Sequence, residues 1–316
     1  MIVVAGEALI DLVAVDRDGG YRAVPGGSPA NTAVAVARLG QPTAMLARLG
    51  RDAFARQLRA HLLANGVDLS LTVPATEPTT LAVATLDEAG VATYDFYLAG
   101  TADWQWRSDE LPAEFAPDVV AVHTGSLALA VPPGAAVLAD LLAREHERRA
   151  LTVSVDVNLR PTIHPDRDAA ARRVARQVPL AHLVKASDED LGWLYPGEPV
   201  PAVAARWQAA GACAAVVTLG GQGAYLLDPA GREYRVPAPP VDVVDTVGAG
   251  DSFTGGLLTA LAGLDALGSD PAGRLSGLSA DRWRAVLEFA VAVSALTCTR
   301  RGADPPRRDE VPPPPR

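Results

Sequence analysis

Lysine is almost missing from this chain. Its basic charge is carried by arginine, and Lys185 is the one exception among 316 residues. That lysine stands in Val184-Lys185-Ala186-Ser187 with no GxxxxGK around it, which excludes a P-loop lysine. Phosphate chemistry here would have to rest on arginine, metal and backbone amides. Cysteine is equally scarce: Cys213 and Cys298 build neither a disulfide framework nor a Cys-rich metal site. The histidines, His123 and His164 among them, show no HExxH or paired spacing, which argues against zinc. Ser126 lacks the second glycine of a nucleophile elbow, which argues against hydrolase chemistry. No apolar run reaches the ~18–20 residues of a transmembrane helix. The start, Met1-Ile2-Val3-Val4-Ala5-Gly6, has no basic n-region of a signal peptide. A cytoplasmic protein without a membrane partner is expected. A net charge of −9 also argues against nucleic acid, whose phosphates need a basic face.

What is present is alternation. Residues 2–5 and 9–15 read as strands broken at Gly6-Glu7, 30–39 as a helix closed by Gly40, 43–49 as a buried strand, and 52–65 as a helix. Short β pieces at 79–87 and 91–98 flank Asp87-Glu88-Ala89-Gly90, a hairpin turn signal. Farther on, strands at 118–123, 151–155, 181–185 and 214–219 alternate with helical stretches at 133–149, 167–178 and 201–210. That pattern predicts an α/β fold with a mostly parallel sheet covered on both faces. A hairpin at 224–228 and 232–236 and helices at about 251–262 and 281–298 complete it. We expect one domain over residues 1–316. Its lid, a small β-layer from about 9–24 and 68–106, would exclude water from a reacting group, and residues 305–316 would form a frayed Pro-rich tail.

The most informative run is Asp245-Thr246-Val247-Gly248-Ala249-Gly250-Asp251-Ser252-Phe253-Thr254-Gly255-Gly256. Small residues at 248–250 let bare backbone N–H groups approach an oxyanion at a helix N-terminus. Asp251 beside such a turn suits a general base for a sugar hydroxyl; the alternative is an ordinary N-cap. In Pro25-Gly26-Gly27-Ser28-Pro29-Ala30-Asn31, the paired glycines and Asn31 suit a polyol, while Ser28 reads as N-cap and Pro29 as N1. Asp11, inside the apolar strand 9–15, would accept sugar hydroxyls or else be paired. Asp156-Val157-Asn158-Leu159-Arg160 ends a strand, where open α/β sheets bind ligands; Arg160 could clamp a phosphate. Ser187-Asp188-Glu189-Asp190 reads as a helix start or an outer magnesium site. Thr218-Leu219-Gly220-Gly221-Gln222-Gly223 permits backbone contact with a nucleotide but fails the dinucleotide fingerprint.

Gly26–Asn31 and Asp245–Gly256, over 200 residues apart, resemble the two signatures of the ribokinase-like (PfkB) family of carbohydrate kinases. Gly6–Asp11, Ala102-Asp103-Trp104, Asp156–Arg160 and Lys185-Ala186-Ser187 match the habits of its fructokinase-like branch. The resemblance implies a ribokinase-like αβα sandwich with a β-lid, ATP and Mg²⁺, and a sugar phosphorylated on a primary hydroxyl. Fructose or a related ketose is the first expectation; a 2-keto-3-deoxy sugar acid, ribose, a nucleoside, or a non-catalytic binding role are the alternatives. It further implies Asp251 as base and Gly248, Ala249 and Gly250 as anion hole. Asp11, Gly26, Gly27, Asn31, Tyr97, Asn158 and Arg160 would contact the sugar. Ser187, Thr218, Gly220, Gly223, Ala292 and Ala295 would contact the nucleotide, and Asp245, Val247 and Arg301 would lie at a K⁺ site. A homodimer through the lid would fit. Two departures stand out: Ser187–Asp190 replaces the family's Asn-x-x-Glu, and Leu98 replaces an arginine after Phe96-Tyr97.

Overall fold

Ile2–Ala5 is apolar at every position and buried throughout, as a strand must be when it lies in the middle of a sheet with helices on both faces. A computed structural model describes residues 1–15, 20–86 and 92–315, leaving aside the side chains of 85, 86 and 92–94. The first half runs β1 (Ile2–Ala5), β2 (Leu9–Ala14), β3 (Tyr21–Gly26), α1 (Ser28–Arg38), β4 (Thr43–Leu46), the two-residue β5 (Arg48–Leu49), α2 (Ala53–Ala64), β6 (Val73–Pro74), β7 (Leu81–Leu86) and β8 (Ala92–Tyr97). The second half continues β9 (Ala121–Gly125), α3 (Gly134–Arg148), β10 (Thr152–Asp156), α4 (Arg167–Gln177), β11 (Leu183–Ser187), α5 (Asp188–Leu194), α6 (Val200–Ala209) and β12 (Ala214–Thr218). A hairpin of β13 (Ala224–Leu227) and β14 (Glu233–Val236) precedes α7 (Ala249–Gly263), α8 (Pro271–Ser276) and α9 (Ala280–Cys298).

The main sheet has the order β14-β13-β12-β11-β10-β9-β1-β4. Its six strands from β12 to β4 are parallel, and the final hairpin adds two antiparallel ones. Two apolar cores lie on opposite faces, one built around α1, α7 and α9 and the other around α3 to α6. Helix α7 has no polar face. Every residue from Asp251 to Leu261 is buried, so its position is set by packing on α1 and α9. A Cβ at Gly255 would fall 2.6 Å from Ala35 Cβ, and one at Gly256 would fall 3.0 Å from Ala290 Cα. These two glycines therefore serve helix packing and not the anion turn that precedes them.

The lid is a four-stranded sheet of order β3-β2-β7-β8. It leaves the main sheet at Gly6–Ala8, where Asp103 Oδ1 accepts from the Ala8 amide at 2.9 Å and the buried Glu7 carboxyl group accepts from the Ala128 amide at 3.1 Å. Burial pushes Glu7 up to about 8, its own backbone contact draws it back, and Asp103 raises it further. The hinge is thus a buried polar joint that fixes the lid's angle over the strand ends.

Several expectations change. The strand expected at 43–49 breaks at Ala47, because β5 leaves the main sheet to pair with β6. Residues 68–75 stay with that edge, through Met45 N to Asp68 O, Val73 N to Ala47 O and Ala75 N to Leu49 O, so the lid is narrower than 68–106. Helix α8 was not foreseen; it lacks enough length for a periodic signal. The hairpin turn at 87–90 lies outside the described residues. Among the described residues no helix is long and apolar enough to cross a membrane.

The tail from residue 305 is not frayed. Pro305 and Pro306 are buried, Val311 joins the α1–α7–α9 core, and Arg38 donates to Pro305 O at 2.7 Å. Apolar burial outweighs the chain entropy that composition alone suggested. Replacing Val311 with Asp puts an unpaired carboxylate into that core and should cost about 2 kcal/mol or more, read as a drop of several degrees in thermal unfolding. An unchanged Tm would return the tail to the frayed state.

Candidate active site

The site lies where the C-terminal ends of β10, β11, β12 and β1 meet the lid and the start of α7, the usual place for ligands in an open α/β sheet. Helix α7 opens at Gly248, whose φ of +75° is left-handed. A Cβ there would also fall 2.5 Å from Ala303 Cβ. Glycine is required twice, by conformation and by space. Residues Ala249 and Gly250 follow as the first turn; the Ala249 amide donates back to Thr246 O at 3.2 Å, and the Gly250 amide faces outward without an intrahelical partner. Asp251 is the third helical residue, not the N-cap.

Its carboxylate is held from both sides. Ser28 Oγ donates to Oδ1 at 2.6 Å and Asn31 Nδ2 donates to Oδ2 at 2.8 Å. Both donors sit on α1, three residues apart and hence on one helix face. Ser28 does not cap α1, as expected from its place before Pro29; Gly27 holds the cap position and makes no side-chain cap bond. The serine is a ligand of the carboxylate instead. Behind it, Asn158 Nδ2 donates to Ser28 Oγ at 2.8 Å, and Arg160 Nη1 donates to Asn158 Oδ1 at 2.6 Å. A directed relay therefore runs from Arg160 through Asn158 and Ser28 to Asp251. Asn158 adopts φ +34° to make it, a left-handed conformation that asparagine tolerates and that is common at functional sites.

Asp11 completes the cluster. It lies so close to Gly26 that a Cβ there would meet Asp11 Oδ2 at 2.1 Å, which ties the paired-glycine segment to this acid. Burial pushes Asp11 up to about 6, Arg160 draws it back and Asp251 raises it. Asp11, Arg160 and Asp251 thus share one electrostatic site. Cross-strand register places Asp11, Ala82 and Phe96 in line, and in-register partners share a face of the sheet. Tyr97 points to the other face and is 61 % exposed. The expected Tyr97 contact is corrected on that ground; Phe96 is the aromatic on the Asp11 side. Phe96 and Leu98 pack with Trp104, Leu127, Val131 and Ile163, giving the lid an apolar inner wall.

The nucleotide-side residues are spread along the strand ends. Thr218 closes β12, and its hydroxyl donates to Ala186 O at 3.5 Å. Gly220 and Gly223 frame the short turn at 220–222. Gly223 is also needed by the hairpin, since a Cβ there would lie 1.9 Å from Val236 O. The Ser187 side chain is spent on α5: it accepts from the Asp190 amide at 3.0 Å and donates to Asp190 Oδ2 at 2.8 Å. Asp190 also accepts the Leu159 amide at 2.8 Å, so this acid braces the strand end that presents Asn158 and Arg160. Ala292 and Ala295 lie on α9, which reaches the α7 turn through Ser294 Oγ to Ala249 O at 2.9 Å. Asp245 accepts from the amides of Val247 at 3.0 Å and Gly302 at 2.8 Å, closing the loop beside Gly248; Arg301 is exposed on it. Among the described residues no three His, Cys, Asp or Glu side chains gather to hold a metal. Mg²⁺ does not require such a cage, because it keeps phosphate and water ligands. Asp188 and Glu189, exposed at the end of β11, suit water-bridged contact with it.

Comparison with known proteins agrees with this geometry. A family model described as pfkB family carbohydrate kinase matches residues 1–310. A fructokinase of Rhizobium leguminosarum bv. trifolii is 38 % identical over 266 residues, 83 % of this chain and 79 % of that protein. A fructokinase from Xylella fastidiosa solved with bound ATP superposes with a TM-score of 0.87 at 30 % identity, covering 96 % of this chain and 93 % of that one. A fructokinase double mutant from Vibrio cholerae O395, solved with fructose, ADP and a potassium ion, gives 0.80 at 29 % identity, covering 96 % and 93 %.

As the pH falls through about 6, Asp11 takes up a proton and loses its capacity to accept two hydroxyls. The KM of the acceptor should then rise by up to about tenfold per pH unit. Asp11→Asn should flatten that limb; a variant that keeps it would remove Asp11 from acceptor binding.

Proposed function

Because the chain belongs to the pfkB family of carbohydrate kinases, we propose that it transfers the γ-phosphoryl group of ATP to a primary hydroxyl of a neutral ketose, fructose first. The observation that carries this reading is the joining of the two distant signature segments at one carboxylate, Asp251, by Ser28 and Asn31. Asp251 is the general base. As the acceptor oxygen forms its bond to the γ-phosphorus, its proton passes to Asp251, and the bond from that phosphorus to the bridging oxygen of ADP breaks. The amides of Gly248 and Gly250 and the positive end of α7 take the charge on the transferring group, while the Ala249 amide, bonded to Thr246 O, holds the turn. Asp11, Gly26, Gly27 and Asn31 orient the sugar, with Asn158 and Arg160 steering Asp251 through Ser28. Thr218, Gly220, Gly223, Ala292 and Ala295 border the nucleotide.

Bound with ATP, Mg²⁺ supplies charge neutralisation on the phosphates. A K⁺ ion at the loop of Asp245, Val247 and Arg301 would stabilise the turn at Gly248. The apolar wall of Phe96 and Leu98 supports a neutral acceptor over an acid, which would call for cationic lid residues. Tyr21 and Tyr97, 46 % and 61 % exposed, share the lid face opposite Asp11 by register. They suit a homodimer in which each lid covers the other, and equilibrium sedimentation should return twice the mass of one chain.

An ADP-release screen over fructose, other ketoses, aldoses, ribose, nucleosides and 2-keto-3-deoxy sugar acids, with and without K⁺, tests the assignment. Fructose should give the largest kcat/KM, K⁺ should raise it, and Asp251→Asn should lower kcat by at least ~10³-fold. Turnover of an acid or nucleoside in preference to every ketose would overturn the acceptor, and an active Asp251→Asn would overturn the base.

A further inference from the structure

The chain's only lysine is buried directly beneath the anion turn. Lys185 lies on β11 in register with Asp156 on the neighbouring parallel strand β10. Its Nζ donates to Asp156 Oδ2 at 2.8 Å, with the two side chains 6 % and 2 % exposed. Above the pair is the first turn of α7. A Cβ on Gly250 would approach Lys185 Nζ to 3.2 Å, so glycine at 250 leaves room for the ammonium against the turn. Thr254 Oγ1, one turn further along α7, donates to Gly250 O at 3.1 Å and lies 3.5 Å from Asp156 Oδ2. The other Asp156 oxygen is buried without a hydrogen-bond partner.

The charges around this amine are unequal to a purely structural pair. Burial works against its charge, but Asp156, Asp190 and Asp251 together hold its proton on. His123, on β9, is pushed down to about 3 by burial and by Lys185, so it adds no positive charge. Three carboxylates thus surround the place where a triphosphate must bring more negative charge, and one buried ammonium opposes them. In a low-dielectric site such a charge is worth far more than at the surface.

We propose that Lys185 is a positioning residue of the phosphoryl site: a fixed cation, held by Asp156 under Gly250, that acts through the first turn of α7 to accept the γ-phosphate. The proposal rests on the kinase reading above. It differs from a P-loop lysine because the amine lies under the turn and not in a loop around the phosphates.

Lys185→Met alone strands a buried carboxylate and should lower Tm, which a structural pair would also do. The deciding variant is Lys185→Met combined with Asp156→Asn, which removes both charges at similar volume. It should recover most of the wild-type Tm and bind ADP within about twofold. It should lose at least tenfold in affinity for a non-hydrolysable ATP analogue and about 10²-fold in kcat with fructose, while the fructose KM moves less than about threefold. Asp156→Asn alone, which keeps the ammonium, should retain at least tenfold more kcat than the double variant. A double variant with wild-type Tm whose kcat and ATP-analogue affinity stay within threefold of wild type overturns the proposal, as does equal weakening of ADP and the ATP analogue. A wild-type protein that binds ATP but phosphorylates no sugar ends the kinase reading; the preference for the ATP analogue over ADP still decides Lys185.

Discussion

Helix α7 has to be buried on all sides and still begin at a site open to solvent. That double demand organises the molecule. Its apolar residues are enclosed by α1 and α9, and the glycines at 255 and 256 allow those helices to approach within backbone contact. Close packing of this kind tolerates little displacement. The first turn is therefore fixed relative to α1, and Asp251 meets Ser28 and Asn31 at hydrogen-bond distance although 223 and 220 residues separate them along the chain. The same turn stands over Lys185. The placement of Asp251 and of the turn before it is thus a consequence of core packing little more than one helical turn away.

Charge is distributed with equal economy. The chain is acidic overall, yet its site must receive a polyanion. Backbone amides at the α7 start, the Arg160–Asn158–Ser28 relay and the buried ammonium of Lys185 provide the opposing polarity without a basic surface. Burial raises Asp11 and Asp156 to about 6 each, with Arg160 and Lys185 respectively drawing them back. The two cations are thereby matched to the two acids that flank Asp251. The apolar lid wall completes the environment, because electrostatic interactions strengthen when water is excluded.

Much of this was legible from residue order. Alternation of β-branched runs with helical spacing predicted the parallel sheet, and the small-residue turn before Asp251 predicted the helix start at Gly248, since both depend on local periodicity and side-chain size. Ser28 was legible only as a cap. Its position three residues before Asn31 places both on one face of α1, a signal that the adjoining Pro29 obscured. Lys185 was legible as the absence of a P-loop lysine and as part of a branch-like segment, but not as a buried cation. A charged residue inside the apolar strand Leu183–Ser187 implies a buried counter-charge, and Asp156 at the end of the preceding strand was the available partner. Tyr97 failed for a different reason: an aromatic pair in a strand presents its members to opposite faces, and which face covers the site depends on cross-strand register.

The sequence by itself determined the fold class, the two segments that meet at Asp251 and the exclusion of a P-loop. Each of these follows from local patterns: periodicity, glycine where backbone must approach a ligand, and an acid beside a helix start. Only the tertiary structure decided what Ser28 and Lys185 touch, which face of the lid looks inward, and that the Pro-rich tail docks on the core. Those outcomes depend on contacts between segments distant in the chain. Their energies come from burial and close packing, which no local propensity contains.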